Sequence, residues 1–107
     1  MRTAKVFYNG VFAGLLAEED RQSYRFSYDD AYFSDPALPA ISLTLPKTQQ
    51  TYQEKFLFPF FYNMLAEGVN RTLQSRSLKI DEDDAFGLLL ATAGVDTIGA
   101  ITIKPAA

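Results

Sequence analysis

A run of strand-type segments, then helix-type segments, then one closing strand predicts an α+β domain. The expected form is a mostly antiparallel sheet of about five strands with two to three helices packed on one face. Three observations carry this. Asn9-Gly10 stands between two apolar runs, and only residues that tolerate positive φ suit the two-residue turn of a hairpin. Tyr24, Phe26 and Tyr28 alternate with Ser23, Arg25 and Ser27, which puts three rings on one side of a strand. From Pro59 onward the apolar spacing changes to three and four, the period of a helix.

Taken in order, residues 4–8 and 11–17 form the hairpin strands and residues 23–28 the third. Residues 29–39 hold turn signals at Asp35-Pro36 and Pro39, with a single helical turn expected around residues 30–33. Ile41, Leu43 and Leu45 alternate with Ser42 and Thr44 before Pro46, which reads as a fourth strand, and 47–51 as a polar loop. Pro59 suits the first position of a helix, whose face is Phe58, Phe61 and Leu65, and Gly68 ends or bends it. A second helix is expected over about 69–77. A third is capped by Asp81, has Glu82, Asp83 and Asp84 at its positive end, buries Phe86, Leu89, Leu90 and Ala93, and closes at Gly94. Residues 98–103 make the last strand, and Pro105 ends the fold. At 107 residues the chain has room for one domain, read as 1–107, large enough to bury a core without disulfides or metals.

Composition excludes several kinds of function. The chain has no His and no Cys, so the commonest general base, the thiol nucleophile and thiolate-bound zinc are all missing. Its net charge is −3 and its Lys and Arg are dispersed, which argues against direct nucleic-acid binding. There is neither a signal-like start nor an apolar run long enough to span a bilayer, so a cytoplasmic protein without a membrane partner is expected. Asp29-Asp30 and residues 81–84 are acidic clusters, and both sit where acids stabilise turns and helix starts. The second lacks the spacing and glycine of a calcium loop, and no glycine-rich loop cradles a phosphate. Asn70-Arg71-Thr72 matches a glycosylation sequon that a cytoplasmic chain would not use. No catalytic residue, metal site or cofactor is expected, and the chain is read as a binding protein rather than an enzyme.

Two stretches exceed what packing requires: residues 65–71, a charged corner with Gly68, and residues 94–100, where Asp96 lies between two glycines. Both also serve as ordinary helix breaks and turns. The run Phe58-Pro59-Phe60-Phe61-Tyr62-Asn63-Met64-Leu65-Ala66-Glu67-Gly68-Val69-Asn70-Arg71 resembles a signature of the N-terminal subdomain of HipA-family serine/threonine kinases. Phe86-Gly87-Leu88-Leu89, followed by Gly94-x-Asp96-Thr97-Ile98-Gly99-Ala100, resembles a second signature. The Asn9-Gly10 hairpin with Gly14 and the stretch 41–46 also match, so the resemblance covers nearly the whole chain.

In that family the ATP site and catalytic Asp belong to a larger C-terminal region. The resemblance therefore implies the N-terminal subdomain as a separate chain, similar to HipS of tripartite HipBST toxin–antitoxin systems. It implies an antitoxin-like role: binding and restraining a HipA/HipT-type kinase, in a ternary complex with a HipB-like helix-turn-helix protein. The alternatives are a subunit that completes the kinase fold, or one that bridges kinase and repressor on operator DNA. The implied partner-binding residues are Glu67, Gly68, Val69, Asn70, Arg71 and Asp96. The family's usual Pro before Glu-Gly is Ala66 here, and Val69 stands where HipS-like chains often carry Trp. Inhibition then rests on a smaller anchor such as Val69, on Arg71, which can meet a kinase carboxylate, or on holding the kinase in an unproductive conformation. Glu67 and Arg71, four apart, can equally pair with each other.

Overall fold

In the computed structural model Asn9 and Gly10 take φ of 48° and 81°, as a tight hairpin turn requires. The structure describes residues 2–65, 68–92 and 100–106, with the backbone alone for Gly68 and Val69. The turn joins β1 (Arg2–Tyr8) to β2 (Val11–Asp20), and β3 (Ser23–Tyr28) follows. A short helix α1 (Asp30–Ser34) precedes β4 (Thr51–Glu54). Helices α2 (Pro59–Tyr62), α3 (Gly68–Leu78) and α4 (Ala85–Thr92) come next, and β5 (Ile101–Pro105) closes the order. The five strands form one antiparallel sheet in the order β4-β3-β2-β1-β5. The α+β class and the five-stranded sheet are as the sequence predicts.

The core lies between one sheet face and the helices. Ala4, Val6, Leu16, Phe26, Tyr28, Ile101 and Ile103 supply the sheet side, and Phe61, Phe86, Leu88 and Leu89 the helix side, all buried. The Phe26 ring meets Tyr28 edge-on at 4.9 Å and Phe61 at 5.8 Å. Gly14 belongs to this packing because a Cβ there would lie 2.2 Å from the Ser27 carbonyl oxygen. Any side chain would therefore push β2 away from β3.

The expected fourth strand is not one. Residues 41–45 form a turn, with the Leu45 N–H donating to the Ser42 carbonyl at 3.1 Å. Ile41 and Leu45 are buried while Leu43, between them, is 99% exposed, whereas a strand would put all three on one face. The Tyr28 hydroxyl holds this turn, accepting from the Ile41 N–H at 3.1 Å and donating to the Leu45 carbonyl. Tyr32 donates to the Pro39 carbonyl at 2.7 Å. Burial drives the Tyr32 hydroxyl up to about 12 and raises Tyr28 as well. The sheet position is taken instead by β4, where Tyr52 pairs with Phe26.

Two helix boundaries also differ. Gly68 opens α3 rather than ending α2. Helix α4 starts at Ala85, not at Asp81, because Asp84 is its cap: its Oδ1 accepts from the Gly87 N–H at 3.1 Å. Asp81 instead holds the preceding turn, accepting from the Asp83 N–H at 2.8 Å. Leu88 replaces Leu90 on the fully buried face, and Ala93 and Gly94 lie outside the described residues. Pro105 is the last residue of β5, where it pairs with Ala4.

Candidate functional site

Helix α2 is one turn long, and its spacing divides the aromatic rings between two environments. Phe58 and Phe61 point into the core, and Tyr62 is left 45% exposed. Ahead of the helix, Phe56 is 62% exposed. Phe56, Leu57, Pro59, Tyr62 and Asn63, with Tyr24 from β3 and Ala85 from α4, line a mostly apolar cleft of about 380 Å³.

Arg71, in the first turn of α3, reaches back to this cleft. Its Nη1 donates to the Tyr62 hydroxyl at 2.7 Å, and its guanidinium carbon lies 5.1 Å from the Tyr62 ring centroid. Arg71 Nε is buried and has no acceptor among the described residues. Arg71 makes no ion pair among them either. The geometry thus joins a cation with an unused donor to two exposed aromatic rings.

Of the partner-binding residues expected from sequence, Gly68, Val69, Asn70 and Arg71 form the first turn of α3, with Asn70 exposed. Glu67 and Asp96 lie outside the described residues. Sequence reasoning missed Tyr62 and Phe56. For Tyr62 a signal was available, since the helical spacing that buries Phe58 and Phe61 turns the next ring outward. For Phe56 none was.

A second hollow, polar, lies beside the start of α4, and Arg2, Glu18 and Asp84 in it are engaged with one another. Arg2 Nη2 contacts Glu18 Oε1 and Asp84 Oδ1, each at 2.7 Å, while its Nε and Nη1 complete both pairs at 2.9 and 3.0 Å. The Tyr24 hydroxyl donates to the other Glu18 oxygen at 3.0 Å. Hydrogen bonds from Arg2 hold the Asp84 carboxyl below the usual carboxylate range, and burial pushes Tyr24 up. A Cβ on Gly87 would lie 2.3 Å from Asp84 Oδ2, so glycine there leaves room for the carboxylate. This cluster joins β1, β2 and α4. Among the described residues no group of three acidic, His or Cys side chains is placed to hold a metal, and no helix is long and apolar enough to cross a membrane.

Comparison with known proteins decides the family. The family model for the HipA N-terminal domain matches residues 4–104. The chain belongs to the HipA N-terminal domain family. A solved structure described as the N-terminal domain of HipA toxin superposes with a TM-score of 0.73 at 29% identity, over 100% of this chain and 94% of that one. An uncharacterised protein of Haemophilus influenzae is 36% identical over 97% of this chain and 92% of its own length. A putative kinase of Sinorhizobium fredii, Y4mE, is 26% identical over 98% of this chain, which spans 25% of that protein. This HipA N-terminal domain is thus a HipA-related component, and its match within Y4mE leaves most of the putative kinase outside it.

Proposed function

We propose that this domain is a non-catalytic regulatory subunit that binds a HipA/HipT-type serine/threonine kinase and restrains it, as an antitoxin restrains a toxin. The observation that supports this most is the pair of relatives. The same domain makes up nearly all of the Haemophilus protein, yet only a quarter of Y4mE. A unit found both apart from and within a putative kinase is suited to act on such a kinase in trans. Docking uses the α3 corner, with Val69 and Arg71 as contacts, and Glu67, Gly68, Asn70 and Asp96 are the further partner-binding residues proposed. A HipB-like helix-turn-helix protein joins the complex and supplies its DNA binding, and the complex works in the cytoplasm.

The Y4mE match also favours a second reading, in which the domain completes the kinase fold and activates it. One experiment separates the two: coexpression with a HipA-type kinase of the same genome, scoring growth, copurification and kinase autophosphorylation. Restraint gives rescued growth with the two chains copurifying. Copurification with phosphorylation that requires the domain establishes the completing subunit instead, and no association overturns both.

A further inference from the structure

The cleft beside Arg71 has the composition of a receptor for one kind of side-chain pair. Its lining is mostly apolar, with Asn63 its one amide, and two of its rings, Phe56 and Tyr62, stand 62% and 45% exposed. Large aromatic groups left in water around a concavity are what a partner covers. A volume of about 380 Å³ suits one aromatic or two aliphatic side chains. At the rim, Arg71 is fixed on Tyr62 by its stacking and its 2.7 Å hydrogen bond, so its position is set before anything binds. Among the described residues it makes no ion pair, and its buried Nε has no acceptor. The strongest acceptor for a guanidinium is a carboxylate.

We infer that this cleft and Arg71 together receive a segment of the partner kinase that places an apolar side chain next to an Asp or Glu. The inference rests on the kinase-binding reading and adds to it the recognised chemistry and a contact surface beyond the α3 corner. Tyr62 links the two regions, since it lines the cleft and holds Arg71.

The test is the affinity of the purified domain for the purified kinase by isothermal titration, with Phe56→Ser, Arg71→Glu and Leu15→Ser. Leu15 is on the opposite sheet face and serves as control. Thermal melts check that each variant is folded. Phe56→Ser and Arg71→Glu should each weaken binding about tenfold or more, and Leu15→Ser should leave it unchanged. Reversing the paired kinase carboxylate to Arg should restore binding to Arg71→Glu. Wild-type affinity in both cleft variants overturns the inference while kinase binding stands. An effect in only one of them overturns the pairing of apolar and acidic groups. Failure of the wild-type domain to bind the kinase overturns the inference together with the reading it rests on.

Discussion

Arg2 and Arg71 each lie against an aromatic ring, 5.2 Å from the Phe86 centroid and 5.1 Å from the Tyr62 centroid, yet they do opposite work. Arg2 spends its donors on two carboxylates contributed by different elements. Arg71 spends one on a phenol and leaves another without an acceptor among the described residues. A guanidinium whose donors are used within the fold stabilises it. One fixed in place but left partly unsatisfied is available to something else. The contrast explains why the larger, polar hollow is not the favoured site: its central charges already have partners.

The comparison can be broken most directly at Arg2. Arg2→Met should lower unfolding stability by about 2–3 kcal/mol, because it leaves Glu18 and Asp84 half-buried without their shared cation. Urea denaturation measures this. Gly87→Ala should cost about 1–2 kcal/mol, since the added methyl collides with the Asp84 carboxylate and disturbs both the helix cap and its bond to Arg2.

Acid sharpens the contrast further. Asp84 is held below its unfolded value near 3.8, so its contribution is full above that pH and is lost as pH falls through the lower folded value. Wild type should therefore lose stability in this window more steeply than Arg2→Met, measured as denaturation midpoints between pH 5 and 2. Arg71→Gln completes the set with the smallest effect on the fold, a change of less than about 0.5 kcal/mol, because no described carboxylate depends on Arg71. A large loss of stability there would show that Arg71 serves the fold as Arg2 does.

Much of this fold was legible wherever local chemistry alone decides the structure. Asn9-Gly10 permits few conformations, and the Tyr24, Phe26 and Tyr28 alternation survives as β3. The 41–45 stretch misled because a tertiary contact overrode the pattern. Two hydrogen bonds to a hydroxyl thirteen or more residues upstream favour a turn whose burial, in at Ile41 and Leu45 and out at Leu43, only half resembles a strand. The cap of α4 was displaced for a similar reason: any of the acids at 81–84 can cap, and Arg2, 82 residues away from Asp84, helps select that one. Of the candidate site, Arg71 was readable from the family resemblance. The cleft was not, because its walls come from β3, α2, α4 and the segment before α2, and no spacing along the chain records that convergence.

The placement of β5 has a consequence for how the domain is made. The last strand pairs with the first, Tyr8 opposite Ile101 and Ala4 opposite Pro105, and the Ala106 N–H donates to the Thr3 carbonyl at 3.0 Å. During synthesis β1 emerges first and can pair at once with β2, but its other side stays an open edge until residue 101 and beyond leave the ribosome. The nascent domain thus carries an unpaired β1 edge from the time β2 pairs until β5 arrives, and closing the sheet is the step that removes it.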